Sequence, residues 1–249
     1  MEIVIICAAG VGGATMLGAV LGFLFKGITH KSSDAVLSFA AGVSIAAAVV
    51  GLILPSIELG RDLGILWCAI GIFSGALCVN LLDKLTPYLH KFVGLGSAKN
   101  LDGRTGRILV FVMAIAIHNL PEGIAAGVGF GTGDISTGIL IALGIAIQNI
   151  PEGMVLIAPM LSAGITPVRT LVCALATGLV EVLGTFIGYY AVSLSRAVLP
   201  FSLAFAGGTM LYVVSDDMIP ETHSHGNEHA STYSLLIGFT LMLIFDYFL

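Results

Sequence analysis

Eight runs of about 20 apolar residues follow one another along this chain, and they constrain its fold more than any other feature. They cover residues 3–25, 36–57, 63–82, 107–130, 135–160, 168–194, 199–219 and 232–249. A helix needs about 20 such residues to cross the hydrocarbon core of a bilayer. Only 10% of the residues are charged, against about 25% in a soluble domain. The sequence therefore predicts an all-α, polytopic membrane protein with eight transmembrane helices.

The basic residues indicate which ends of the spans face the cytoplasm. If the N-terminus lies outside, the first, third, fifth and seventh connections lie inside and hold Lys26, Lys31, Lys84, Lys91, Lys99, Arg104, Arg107 and Arg169. Only Arg61 and Arg196 then face outside. Cytoplasmic loops are enriched in Lys and Arg, so both the N-terminus and the C-terminus are predicted to lie outside. No basic segment precedes the first run, which favours a retained helix over a cleaved signal peptide.

The connections are short, with one exception. Residues 83–106 are polar and basic, and they are predicted to form a cytoplasmic loop between the third and fourth helices. Because no other segment separates the spans, residues 1–249 are predicted to form a single transmembrane domain. Glycines four residues apart allow helix backbones to approach closely. Four such pairs occur and predict a tightly packed bundle: Gly18 and Gly22, Gly71 and Gly75, Gly123 and Gly127, and Gly184 and Gly188.

A polar motif occurs twice in the middle of apolar runs. The fourth span contains HNLPEG at residues 118–123, and the fifth contains QNIPEG at residues 148–153. A charged side chain at the centre of a bilayer costs at least about 2.5–3.5 kcal/mol, so each motif is expected to face a partner or a cavity. In each copy the first and fifth residues lie four positions apart and share one helix face. Repetition in adjacent spans favours a shared site over two isolated structural hydrogen bonds.

The side chains of both motifs are those that divalent metals accept. Imidazole and carboxylate groups bind first-row metals, and amide oxygens can complete the ligand set. Pro121 and Pro151 each remove a backbone donor, which predicts a kink and a hydrated or metal-filled cavity beside each motif. Glu181 of the sixth span either joins this site or lines the pathway. The candidate metal ligands are His118, Asn119, Glu122, Gln148, Asn149, Glu152 and Glu181.

The segment SDDMIPETHSHGNEHA, residues 215–230, joins the last two spans and contains no Lys or Arg. Two interpretations stay open. The segment is a metal exit or relay, or it is a solvated loop that binds metal only adventitiously. The relay candidates are Asp216, Asp217, Glu221, His223, His225 and His229. His30 and His90 lie in basic connections and are predicted to be solvated.

These residues resemble the ZIP (Zrt/Irt-like protein) family of divalent metal transporters. The resemblance covers the whole chain and rests on HNLPEG, QNIPEG, the eight spans with outside termini, and SDDMIPETH at the end of the seventh span. The short chain, LPSIELG in the second span and PEG in both motifs are most similar to the prokaryotic GufA-like branch. The resemblance implies transport of zinc, and also of iron, manganese, cobalt or cadmium, across the cytoplasmic (inner) membrane into the cytoplasm. The metal is then the substrate, and no separate cofactor is implied.

The resemblance also implies a binuclear site between helices 4 and 5. One metal position would use His118, Glu122, Gln148 and Glu152, and the other would use Asn119, Glu122, Asn149, Glu152 and Glu181. It further implies related three-helix units at the two ends of the chain and a homodimer in the lipid bilayer, with no nucleic-acid partner. Many members have histidine where this chain has Gln148, and a His–Glu pair where it has Asp216 and Asp217. A more oxygen-rich site is expected to accept a broader range of metals.

Two other classes of function compete with a transporter. An intramembrane zinc hydrolase needs fixed ligands, an open metal position and a general base, and the chain contains neither HExxH nor GxSxG. A repeated, ligand-redundant site favours transport over hydrolysis. The sequence leaves a carrier and a passive cation channel open: saturable uptake at low substrate would favour a carrier, and single-channel currents would favour a channel.

Overall fold

The structure is a computed structural model and describes residues 1–24, 29–92, 116, 119–162, 164–194 and 196–248. These residues are almost entirely helical. In chain order the α-helices are α1 (Glu2–Leu24), α2 (His30–Ala46), α3 (Leu54–Leu59), α4 (Gly64–Phe92), α5 (residues 119–129), α6 (Ile135–Ser162), α7 (Pro167–Leu194), α8 (Leu199–Val213), α9 (Ile219–Thr222) and α10 (Glu228–Phe248).

Six helical stretches in the described part of the chain are long and apolar enough to cross a membrane. They are Glu2–Leu24, His30–Leu59, Arg61–Leu82, Ile135–Ala158, Pro167–Ser193 and Glu228–Phe248, and they coincide with six of the predicted spans. Residues 107–115, 117 and 118 of the predicted span 107–130 lie outside the described residues, and residues 119–129 form α5. The predicted span 199–219 is helical throughout, but its last turns contain two aspartates that lower its mean hydropathy. The chain is therefore an all-helical, multi-pass membrane protein.

The membrane-facing surface is clearest on α7. Leu175, Leu179 and Leu183 are 46%, 53% and 61% exposed, and their four-residue spacing places them on one helix face. Glu181 and Thr185, on the opposite face, are fully buried. α7 therefore turns large apolar side chains outward and its polar side chains inward, as expected of a helix whose outer face contacts lipid.

The predicted loop 83–106 begins too early, because α4 continues to Phe92. Hydropathy indicates where a helix can cross a bilayer, but it does not indicate where the helix ends. Residues 83–92 are polar but contain no glycine, the commonest residue at the end of a helix. Residues 93–106 lie outside the described residues. Hydropathy also failed to predict where two helices begin. α2 begins at His30 and α10 at Glu228, in polar sequence before the predicted spans 36–57 and 232–249.

The long helices pack as two groups. In the first group, α1 packs along α6 and α7, and α5 packs along α7. In the second group, α2 packs along α10 and α4 packs along α8. Contacts between α2 and α6 join the groups, and a shared apolar core contains Ile141 and Ile145 of α6 together with Leu52, Leu203 and Met210. The first group contains every helix that contributes a predicted metal ligand.

Glycines at the predicted four-residue spacing mark the closest helix contacts. A Cβ atom on Gly123 would lie 2.2 Å from the carbonyl oxygen of Glu181, and one on Gly127 would lie 2.0 Å from that of Thr185. α5 and α7 can approach this closely only because these positions lack a side chain. The remaining predicted pairs make equivalent contacts: Gly18 and Gly22 with α6, Gly71 and Gly75 with α8, and Gly184 and Gly188 with α5. The predicted close packing is confirmed.

Gly123→Ala is expected to lower the free energy of unfolding by at least about 1–3 kcal/mol, the usual cost of overpacking. The new methyl group meets backbone, which cannot move aside as a flexible side chain can. Gly13→Ala is the matched control, because a Cβ atom at Gly13 meets nothing within 4 Å. Alanine there is expected to be neutral or to stabilise the helix by about 0.5–1 kcal/mol. Equilibrium unfolding in detergent measures both, and equal stabilities would contradict the close contact.

Both α2 and α8 end in a π-helical turn that is followed by a proline. The π-helical segment Ala47–Ile53 leads into α3, which contains Pro55, and the segment Val214–Met218 leads into α9, which contains Pro220. Proline lacks a backbone donor and its ring clashes with the carbonyl four residues earlier, and a widened turn relieves that clash. The matched pattern agrees with the related units that the family resemblance implies at the two ends of the chain.

A short connection makes α5 and α6 neighbours. Gly133 adopts a left-handed conformation with φ of 88°, which glycine tolerates without strain. The carboxylate of Asp134 then accepts hydrogen bonds from Thr137 Oγ1 at 2.9 Å and from the Ser136 N–H at 3.0 Å. These hydrogen bonds hold the pKa of Asp134 below its usual range and cap the start of α6.

Candidate metal centre

Three glutamates from three helices converge within the first helix group. Glu122 of α5 and Glu181 of α7 are buried, and Glu152 of α6 is partly buried. Glu152 lies close enough to both of the others to interact with them electrostatically. The sequences of α1, α5 and α6 contain no Lys or Arg, and α7 has only Arg169 in its first turn. The three carboxyl groups therefore have no basic side chain from the middle of these helices beside them.

Glu181 is held by side chains from three other helices. Its Oε1 accepts hydrogen bonds from Thr15 Oγ1 at 2.7 Å and from Asn119 Nδ2. Its Oε2 accepts a hydrogen bond from Asn149 Nδ2 at 2.6 Å. Both carboxylate oxygens thus have donors, and this one side chain connects α1, α5, α6 and α7.

Gln148 connects the glutamates to the second helix group. Its Nε2 donates to Glu122 Oε1 at 2.6 Å, and its Oε1 accepts a hydrogen bond from Ser44 Oγ at 2.7 Å. All three side chains are buried. The amide therefore orients one oxygen of Glu122, and the hydroxyl of Ser44 in α2 orients the amide.

Two buried oxygen atoms of this cluster have no hydrogen-bond donor in the part of the chain that the structure describes. They are Glu122 Oε2 and Asn149 Oδ1. Leaving a buried acceptor unpaired costs about 1–3 kcal/mol, so buried polar atoms normally have protein, water or ion partners. Carboxylate and amide oxygens are suitable ligands for divalent metals. These two atoms therefore mark where the cluster can accept a cation.

Comparison with known proteins identifies the family. A family model described as "ZIP Zinc transporter" matches residues 95–246, more than half of the chain. The chain belongs to the ZIP zinc transporter family. This is a family of transporters rather than of enzymes, which confirms the prediction that the chain is not a hydrolase. The matched region contains all seven candidate ligands.

Individual ZIP relatives cover nearly the whole chain. A protein named zinc transporter GufA from Myxococcus xanthus is 36% identical over 245 residues, which is 94% of each chain. One named zinc transporter ZIPB from Bordetella bronchiseptica is 37% identical over 239 residues, or 94% of this chain and 77% of the relative. Human zinc transporter ZIP11 is 30% identical over an alignment that covers 94% of this chain and 93% of the relative. The predicted prokaryotic ZIP resemblance is confirmed.

Most of the predicted ligands of this ZIP protein lie together in the structure. The cluster brings together Asn119, Glu122, Gln148, Asn149, Glu152 and Glu181. His118 lies outside the described residues, as does Ile117, so the turn before the kink predicted at Pro121 is only partly described. α6 runs through Pro151 as one continuous helix. Within the described residues no three His, Cys, Asp or Glu side chains form a metal site, so a full ligand set needs the amides, His118 or a shift of the glutamates.

Sequence reasoning missed two hydroxyl groups of the ZIP cluster. Thr15 lies in the glycine-rich middle of α1, and Ser44 lies among small residues near the end of α2. A hydroxyl in an otherwise apolar run of small residues is a weak signal for a buried polar contact. It did not indicate the partners, because the two hydrogen bonds join residues 166 and 104 positions apart.

The predicted relay residues are spread from the π-helical segment Val214–Met218, through α9, to the start of α10. Asp216, Asp217, Glu221 and His229 are exposed. His223 is held by the fold: its Nδ1 lies 2.9 Å from the carbonyl of Ile219 and its Nε2 lies 3.3 Å from Thr232 Oγ1. The structure therefore distributes these side chains over the surface of the ZIP protein.

Two residues outside that segment join His225. Asp34, which sequence reasoning missed, is buried and lies 3.0 Å from His225 Nδ1. His30 is exposed, as predicted, but its ring stacks on that of His225. The four-residue spacing of His30 and Asp34 indicates that the two residues share one face of α2, but it does not indicate His225 as their partner. The side chain of His90 lies outside the described residues.

Proposed function

We propose that this protein transports divalent metal ions, above all zinc, through the cluster of Glu122, Glu152 and Glu181. The observation that carries the proposal is a pair of buried oxygen atoms, Glu122 Oε2 and Asn149 Oδ1, that have no partner among the described residues and lie within a group of three carboxyl groups. Relatives named zinc transporters in Myxococcus xanthus, Bordetella bronchiseptica and Homo sapiens support zinc as a substrate. The metal is the transported substrate, and no separate cofactor is proposed.

Two metal positions agree with how the side chains divide. Asn119 and Asn149 both donate to Glu181, whereas Gln148 donates to Glu122. The first set corresponds to one position of the binuclear site, and Gln148 with His118 corresponds to the other. In this proposal Glu122 and Glu152 bridge the two ions, because each has a neighbour in both sets.

The proposed topology has eight spans in a single domain of residues 1–249, with both termini outside and residues 93–106 in the cytoplasm. It is supported by six membrane-capable helices, the helical stretch 199–222 and the excess of basic residues in the inner connections. Movement is directed across the cytoplasmic membrane into the cytoplasm. A homodimer in the bilayer is part of the same proposal.

Purified protein in liposomes tests the transport function. Metal uptake is measured with a panel of zinc, manganese, iron, cobalt and cadmium, with and without an imposed pH gradient. Saturable, zinc-dependent uptake is the expected result for a carrier. Absence of uptake for every metal would contradict the proposal. Single-channel currents would indicate that the protein is a channel rather than a carrier.

Gln148→His is expected to raise the ratio of zinc to manganese uptake. The substitution replaces an amide with an imidazole, a ligand that suits zinc better than manganese. The measurement is competitive uptake of both metals in liposomes. Asn80→His is the matched control, since the Asn80 amide donates to Tyr212 Oη between α4 and α8, and it is expected to leave the ratio unchanged. An unchanged ratio in Gln148→His would contradict Gln148 as a ligand.

A further inference from the structure

A buried carboxylate holds the connection between α9 and α10 against the start of α2. Asp34 is 4% exposed, although it lies only one turn after the beginning of α2. Its Oδ1 lies 3.0 Å from His225 Nδ1, and its Oδ2 accepts a hydrogen bond from Asn227 Nδ2 at 3.2 Å. Both carboxylate oxygens are therefore used to orient residues of this connection.

The contact with Asp34 determines which nitrogen of His225 is available. A carboxylate accepts hydrogen bonds, so the proton of a neutral imidazole resides on Nδ1. Nε2 then keeps its lone pair, on a side chain that is 31% exposed. The hydroxyl of Ser224 lies 3.4 Å from Nε2, which is too long for more than a weak hydrogen bond. A carboxylate that fixes a histidine in this way is the usual outer partner of a metal-binding imidazole.

A second imidazole lies directly beside the first. The rings of His30 and His225 stack with centroids 4.7 Å apart and planes 27° apart. Two nitrogen ligands of one zinc ion lie about 3.4 Å apart, since each Zn–N bond is about 2.0–2.1 Å long. With the ring centroids 4.7 Å apart, shared binding of one ion requires the exposed His30 side chain to rotate so that its ring nitrogen comes within that range.

The other histidines of this region have different surroundings. The carbonyl of Ile219 accepts a hydrogen bond from Nδ1 of His223, so a backbone carbonyl rather than a carboxylate orients this ring. His229 is exposed at the start of α10. The pair formed by His30 and His225 is thus distinguished by a buried carboxylate that orients one ring and a second ring stacked on it.

We propose that His30 and His225 bind one divalent cation at the end of the fold where α2 and α10 begin, with Asp34 as the residue that positions His225. Water completes the ligand set. In the proposed orientation this end faces the cytoplasm, so the site would receive metal that leaves the glutamate cluster. That role rests on the proposed function, but the existence of the site does not.

The test is equilibrium binding of Co²⁺ alone to the full-length protein in detergent, on a Glu122→Gln, Glu152→Gln background that disables the central cluster. One Co²⁺ per chain is expected to remain, with visible absorption that reports nitrogen ligands. His225→Gln retains a donor toward Asp34 but lacks the imidazole, and it is expected to abolish this binding, as is His30→Ala. Asp34→Asn is expected to weaken binding about 10–100-fold, the usual cost of losing an outer-shell partner.

His229→Ala is the matched control and is expected to leave Co²⁺ binding and its spectrum unchanged. Retention of the ion in a His30→Ala, His225→Gln double variant would overturn the proposal, as would equal loss in His229→Ala. A thermal melt of each variant separates loss of the ligand from loss of the fold. Because binding is measured without transport, this site and the proposed transport function can fail independently.

Discussion

Glu122→Gln is expected to lower saturable zinc uptake into liposomes by at least about 100-fold, beyond the range for losing an outer-shell partner. The substitution keeps the shape of the side chain but removes its charge. It also replaces one oxygen, so the buried Oε2 atom that has no donor within the described residues can no longer serve as an anionic ligand. Glu152→Gln is expected to have a comparable effect, because Glu152 interacts electrostatically with both of the other glutamates.

The free energy of unfolding of Glu122→Gln is expected to stay within about 1 kcal/mol of the parent protein, since the new amide oxygen can still accept from Gln148. Glu2→Gln is the matched control: Glu2 is an exposed glutamate in the first turn of α1, and its loss should leave uptake unchanged. Parent-like uptake by both Glu122→Gln and Glu152→Gln would refute the proposed transport site.

Glu181→Ala is expected to lower the free energy of unfolding by at least about 3 kcal/mol. The truncation leaves three buried donors, on Thr15, Asn119 and Asn149, without their acceptor, and each unsatisfied buried group costs about 1–3 kcal/mol. It also removes the side chain that connects four helices. Chemical denaturation in detergent, followed by far-UV circular dichroism, measures the change.

Glu181→Gln separates the structural role of this residue from its charge. Its amide oxygen can still accept from Thr15 and Asn119, and its amide group would face Asn149. The Asn149 amide would face this group with a donor of its own, and turning it would break its hydrogen bond to the carbonyl of Val11, so one of the three hydrogen bonds is expected to be lost. We therefore expect the glutamine variant to be clearly more stable than the alanine variant. Equal destabilisation by the two substitutions would show that the hydrogen bonds around Glu181 do not determine its contribution.

These two expectations distinguish glutamates that the sequence presents in a similar way. Glu122 and Glu181 each lie in the middle of an apolar run, and the chemistry of the carboxylate is the same in both. The structure gives Glu181 donors on both oxygens, whereas one oxygen of Glu122 has no partner among the described residues. Substitution of Glu181 is therefore expected to have the larger effect on stability, and substitution of Glu122 is expected to have the larger effect on transport.

The sequence predicted much of the fold because each helix that crosses the bilayer needs a continuous apolar segment, which can be recognised locally. A run of about 20 apolar residues suffices to indicate a spanning helix, and six such helices appear at the predicted places. Helix ends were predicted less well. The third predicted span continues as α4 through DKLTPYLHKF to Phe92, because helical hydrogen bonding between backbone groups does not depend on hydropathy.

For the candidate site, helical spacing predicted which residues of one helix share a face, but not their partners on other helices. Residues four apart share a face, so Gln148 and Glu152 were placed together correctly, and the glycine pairs indicated where helices approach. Spacing within one helix does not state which face of another helix it meets. The roles of Thr15 beside Glu181 and of Ser44 beside Gln148 appeared only in the folded chain.

The sequence by itself determined that this protein is an all-helical membrane protein and which polar residues lie within its helices, because hydropathy and helical periodicity are local properties. Tertiary structure decided which oxygens are hydrogen-bonded and which are free, and it brought Asp34 to His225 across 191 positions of the chain. Contacts of that kind depend on how closely whole helices pack. That packing is set by many small residues acting together, and no single motif encodes it.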